Sequence, residues 1–90
     1  MKKIDEETLK RLKLICYEVA LMGVIDAQTM LEVKEASENY LNEKGYTHFK
    51  VKCDYEINSP DVIDSNKMYV DFYQKEFPGS TTYFHHRIEL

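Results

Sequence analysis

The sequence predicts an α+β fold, two N-terminal helices packed on a small three-stranded antiparallel sheet in the order α-α-β-β-β. Three observations predict it. Apolar residues recur at helical spacing up to about residue 45. From Phe49 they switch to strict alternation, with Phe49, Val51, Cys53, Tyr55 and Ile57 on one face and Lys50, Lys52, Asp54 and Glu56 on the other. A Pro78-Gly79 dipeptide then splits the remaining β-rich stretch into a hairpin. Ninety residues make one domain, 1–90, read as a helical hairpin over 5–45 and a β-meander over 47–90.

Residues 1–4 read as a short leader. Asp5 is placed to cap the first helix, and Glu6 and Glu7 sit at the positive end of its dipole. Leu9, Leu12, Cys16, Val19 and Ala20, widened by Ile15 and Met22, give an amphipathic helix over 6–22 that Gly23 stops. The second helix is expected to start at Asp26, with Ile25 stapled onto Met30, and to end at Gly45. Its apolar stripe is Ala27, Met30, Val33, Tyr40 and Leu41, with Leu31 alongside. The short connection makes the two helices neighbours.

The first strand is expected over 47–57. The loop Asn58-Ser59-Pro60-Asp61 has turn chemistry, and Val62 and Ile63 are expected to plug back into the core. The second strand is expected over 67–77, with Met68, Val70 and Phe72 alternating with Tyr69, Asp71 and Tyr73. The third runs from 81 to 90, with Thr82, Phe84, His86 and Ile88 on one side and Tyr83, His85, Arg87 and Glu89 on the other. The nine residues from Asn58 to Asn66 are too few for a parallel crossover. A three-stranded sheet then leaves two edges on long strands rich in β-formers, open to another chain's strand.

Composition narrows the function classes. The net charge of −4, with acids and bases interspersed, gives no electrostatic footprint for nucleic acid. No apolar run approaches the ~20 residues of a membrane span, and MKKIDEETLK lacks the apolar stretch of a signal peptide. Cys16 and Cys53 read as buried reduced thiols, since there is no CxxC pair for a metal or redox site. His85 and His86 are adjacent on a strand and point to opposite faces, so they cannot chelate one ion together. His48 lies near the start of the first strand, away from both. Asp61, Asp64 and Asp71 read as solvated acids rather than a general acid–base pair. The three glycines are scattered at element ends and form no phosphate loop. The sequence therefore points to no catalytic residue, no metal and no cofactor.

Tyr69, Tyr73, Tyr83 and Phe84 on neighbouring strands can be drawn as a stacking platform for single-stranded nucleic acid, but the acidic net charge opposes it. A protein contact fits tyrosines on an outer sheet face better, and a plain cross-strand aromatic pair fits equally.

The stretch FKVKCDYEINSPDVID followed by MYVDFYQKEFPGSTTYFHHRIEL resembles the C-terminal domain of contractile-tail sheath proteins of bacteriophages and related injection systems. The resemblance is carried by Phe49, Val51, Cys53, Asp54, Asn58, Pro60, Val62, Ile63, Asp64, Val70, Lys75, Pro78, Tyr83, Phe84 and Ile88, within residues 47–90. The first half matches more loosely, through the segment Val33 to Gly45, with Glu38-Asn39-Tyr40-Leu41, which looks like the family's helix before that strand. A sheath protein is several times longer, so the resemblance implies a free-standing, sheath-domain-like virion protein, made in the host cytoplasm. It implies a non-enzymatic tail, neck or connector component that assembles with itself and other virion proteins by sharing strands at sheet edges. The residues expected to meet partners are Phe49, Val51, Tyr69, Tyr73, Tyr83, Phe84 and Ile88; Cys53, Asp54, Asn58, Pro60, Val62, Ile63 and Asp64 form the family-motif loop. The alternative is a small intracellular adaptor or regulator that binds one protein through the tyrosine-bearing face. An enzyme built on the Asp and His residues has the least support.

Overall fold

A computed structural model describes residues 1–20, 27–56 and 67–90. The chain is α+β, with α1 (Glu6–Ala20) and α2 (Ala27–Glu43) followed by β1 (Phe49–Glu56), β2 (Lys67–Lys75) and β3 (Tyr83–Glu89). The three strands form one antiparallel sheet in the order β1-β2-β3, so β2 is central and β1 and β3 are edges. Cys53 lies opposite Val70, Val51 opposite Phe72 and Val70 opposite Ile88, which puts the apolar set of every strand on one face. Leu12 and Cys16 of α1 and Val33 and Leu41 of α2 join Val51, Met68, Val70, Phe72 and Ile88 in a single core.

Asp5 caps α1 as its position predicts. Its Oδ1 accepts the Thr8 N–H at 2.8 Å, and its carbonyl accepts the first helical bond from Leu9 at 3.0 Å. Hydrogen bonding to the Thr8 side chain first, and to its N–H second, holds the Asp5 carboxyl below the usual carboxylate range. The end of α1 beyond Ala20, the Asp26 cap and the Ile25–Met30 staple lie outside the described residues.

α2 departs from its predicted stripe at four positions. Ala27 and Leu31 are exposed, and Thr29 is buried. Ser37, one turn from both Val33 and Leu41, is fully buried too. Its hydroxyl shares a 3.4 Å hydrogen bond with the Cys16 thiol, so a small polar residue fills the place where the two helices meet without being left unpaired.

α2 ends in a Schellman motif. Gly45 N–H donates to Asn42 O at 3.1 Å and Tyr46 N–H to Leu41 O at 3.0 Å, with Gly45 at φ +84°. The accompanying apolar contact is also present, since Leu41 and Tyr46 are both buried in the core. Tyr46 keeps its hydroxyl satisfied through Thr8 Oγ1, 2.7 Å away.

The strands are shorter than alternation predicts. Phe77 was expected to close β2 but belongs to the turn and is 58% exposed. Pro78 and Gly79 (φ +88°) are the central residues of that turn, closed by Ser80 N–H donating to Phe77 O at 3.0 Å. The loop around Asn58, Ser59, Pro60, Asp61, Val62, Ile63 and Asp64 lies outside the described residues, as does Ile57.

Residues 1–4 are not a loose leader. Ile4 is buried in the core, and Gln74, on the core face of β2, holds the segment in place. Gln74 Oε1 accepts the Ile4 N–H at 2.9 Å, and its Nε2 donates to Lys2 O and, at 3.3 Å, to Thr47 O. Lys2 and Lys3 extend the clasp. Lys2 Nζ donates to Lys44 O at 2.9 Å and lies 4.5 Å from the Tyr46 ring centre. Lys3 Nζ donates to the carbonyls of Lys75 and Glu76 and lies 4.4 Å from the Phe84 ring centre.

Candidate interaction surface

Among the described residues, the surface left open consists of two sheet edges and the sheet face turned away from the helices. The hydrogen-bond parity of the ladder settles what each edge offers. In an antiparallel pair, successive residues of a strand bond alternately to one side and the other. Lys75 N–H donates to His48 O at 2.9 Å, so the even-numbered residues of β1 bond to β2. The main chain of Phe49, Val51, Cys53 and Tyr55 therefore points away from the sheet. Leu90 N–H donates to Met68 O at 2.8 Å and Glu76 N–H to Thr82 O at 3.2 Å, so even-numbered β3 residues bond inward. The main chain of Tyr83, His85, Arg87 and Glu89 points outward. Among the described residues neither edge has a neighbouring strand.

The outward sheet face carries a cross-strand network centred on Asp71, which is only 4% exposed although it stands on the side away from the helices. Arg87, its direct partner on β3, makes a forked contact, Nε to Oδ1 at 2.8 Å and Nη2 to Oδ2 at 3.1 Å. His85 Nε2 lies 2.8 Å from the same Oδ1 and donates to it, because an ionised carboxylate only accepts. His85 in turn stacks on Tyr73, with ring centres 4.6 Å apart at 11°, and the Arg87 guanidinium lies 4.2 Å from the Tyr69 ring centre. The Arg87 hydrogen bond is the main cause holding the Asp71 carboxyl below its ordinary range, with His85 adding to it. The same bond pushes the Arg87 guanidinium up. Three N–H donors fill this carboxylate, so it acts as a fixed anchor tying β3 to β2.

This has a checkable consequence. A carboxyl whose folded-state pKa is depressed contributes stability above its unfolded value, about 3.9, and that contribution disappears as pH falls through the folded value. Melting temperature is therefore expected to drop below about pH 4, and Asp71→Asn is expected to be less stable at neutral pH with a flatter acid limb. A variant whose acid limb matches the parent in steepness would show that Asp71 is not the group responsible.

The predicted partner residues fall into four groups. Tyr69, Tyr73 and Tyr83 share the outward face. Phe84 lies on the core face, beyond the helices, where it is 43% exposed and meets the Lys3 ammonium. It cannot join a stacking platform with the tyrosines, and Tyr73 and Tyr69 each already have a ring face occupied by His85 and Arg87. Val51 and Ile88 are core side chains; Val51 still offers its main chain to the β1 edge, whereas Ile88 bonds inward through both. Phe49 is half-buried on the core face at the β1 margin. Cys53 is half-buried rather than fully so, and both thiols are free. Burial, with smaller effects from Cys16 and Asp54, pushes the Cys53 thiol up to about 11, and burial likewise raises Cys16. Neither is a ready nucleophile at neutral pH. Asp54 is exposed on the outward face. Asn58, Pro60, Val62, Ile63 and Asp64 lie outside the described residues.

Comparison with protein-family models, with curated proteins and with solved structures yields no match to this chain. Among the described residues, no group of three or more His, Cys, Asp and Glu side chains is gathered to hold a metal ion. No helix there is long and apolar enough to cross a membrane. The Arg87–Asp71–His85 set is one that the sequence alone does not assemble. Its signal was the alternation that puts Asp71, His85 and Arg87 on neighbouring strands, but only the hairpin register makes them partners.

Proposed function

We propose that this chain is a non-enzymatic structural protein of a bacteriophage virion, a tail, neck or connector component that assembles by pairing the edges of its sheet. The observation that carries the reading is the pair of open edges, each with a row of outward main-chain donors and acceptors. Such a row supplies affinity through main-chain hydrogen bonds, while the alternating side chains set register. The resemblance of residues 47–90 to the sheath C-terminal domain supplies the virion context. The Asp71 network supports the same reading, because it ties β3 to β2 and so holds that edge in place.

Proline substitution tests the mechanism. At Phe49, Cys53, Tyr83 and Glu89 proline removes an outward N–H, which an edge strand tolerates. At Phe84 it removes a ladder N–H. Assembly is expected to fail for the first set with helix and strand content retained, and Phe84→Pro is expected to lose the fold by melting temperature. Assembly that survives proline at all four outward positions would rule out strand pairing. The virion setting is tested separately by peptide mass analysis of purified particles, where the chain's peptides are expected and their absence would reject it.

A further inference from the structure

On the outward face of β1, Lys52 and Asp54 flank Cys53, a base on one side and an acid on the other. Such a run is complementary to its own reversal. Turned end for end about Cys53, it sets Lys52 against Asp54. An antiparallel two-fold axis between two copies performs that reversal.

The main-chain parity agrees with it. The outward hydrogen-bonding groups of β1 belong to its odd-numbered residues. An axis on Cys53 pairs Cys53 with its own copy and Val51 with Tyr55, so open donors meet open acceptors. The even-numbered residues then occupy the non-hydrogen-bonded pairs, where Cα atoms stand ~4.5 Å apart and side chains interact most strongly. Neighbouring registers lose the match. Moving the axis one residue back sets Lys52 against Lys52, and one residue forward sets Asp54 against Asp54. Like charges directly opposite are destabilising.

The helix above this edge is also unfinished. Lys34 of α2 borders the hollow that runs along Val51 and Cys53. Leu31, one turn earlier on the same helix face, is 46% exposed. The same two-fold axis turns the two Leu31-bearing faces toward each other.

We propose that β1 pairs antiparallel with β1 of a second copy about a two-fold axis on Cys53, joining two sheets into one of six strands. The assignment rests on the edge-pairing reading and narrows it: β1 takes a second copy of this chain, and β3 is left for another partner.

Sedimentation equilibrium of the full chain and its variants tests this. The parent is expected to dimerise. Lys52→Glu and Asp54→Lys are each expected to raise the dissociation constant by roughly 10–100-fold, and the double variant to return it to near the parent value. A parent that stays monomeric or a double variant that stays dissociated would overturn the assignment. If it fails while proline at Tyr83 or Glu89 dissolves an oligomer, edge pairing stands and only the β1 register falls. An oligomer indifferent to every one of these changes rejects edge pairing as well.

Discussion

Phe72→Ala is expected to lower stability by roughly 3–5 kcal/mol. Phe72 is the largest of the fully buried side chains, at the middle of the central strand, with Val51 opposite on one side and His86 on the other. It sits where both strand pairs meet, in the one core to which both helices contribute, so no single neighbour can move in to fill the space it leaves. The loss combines the transfer of an aromatic ring with the cavity that remains. A small domain has total stability of about 5–15 kcal/mol, so this one change removes a large part of it. Urea unfolding is the measurement. The midpoint is expected to fall with the slope unchanged, and a loss below about 1 kcal/mol would place the core elsewhere.

Gln74→Leu is expected to cost roughly 2–4 kcal/mol, although it makes the core face more apolar. One side-chain amide satisfies the Ile4 N–H and the carbonyls of Lys2 and Thr47. Leucine fills similar space and bonds to none of them. Buried main-chain groups left without partners cost about 1–3 kcal/mol each, so the segment is expected to peel away and hydrate instead. That release exposes Ile4 and gives a signature Phe72→Ala lacks. Limited proteolysis is expected to cut within residues 1–5 of the Gln74→Leu variant under conditions where the parent resists. Equal resistance would show that the lysine contacts, not Gln74, hold the segment.

Periodicity made much of this fold legible. Leu12, Cys16, Val33 and Leu41 follow from helical spacing, and Val51, Val70, Phe72 and Ile88 from alternation; all are buried. What periodicity cannot carry is a partnership between distant residues. Ile4 reads as part of a leader because the glutamine that secures it lies seventy positions away. Ser37 reads as polar surface until Cys16 is placed beside it. The Asp71 network depended on a single residue of register. A tight hairpin pairing Phe77 with Ser80 would set Asp71 against His86, whereas the observed ladder pairs Glu76 with Thr82 and sets Asp71 against Arg87. The extra residue sits beside Ser80, whose buried hydroxyl accepts the Thr82 N–H at 3.0 Å. Nothing in the Pro78-Gly79 signal announces that bond.

The edges were legible as strands, but which of their amides point outward was not, and that parity gives the most direct measurement of the central claim. Residue-resolved hydrogen exchange compares the assembled chain with the dissociated one. In the dissociated chain the amides of Phe49, Val51, Cys53, Tyr83, His85, Arg87 and Glu89 are expected to exchange quickly, while those of Lys50, Lys52, Phe84, His86 and Ile88 are protected by β2. On assembly, the outward amides of whichever edge is paired are expected to slow by at least about tenfold, alternating with neighbours that do not change. Outward amides that exchange equally fast in both states, on both strands, would contradict assembly through the sheet edges.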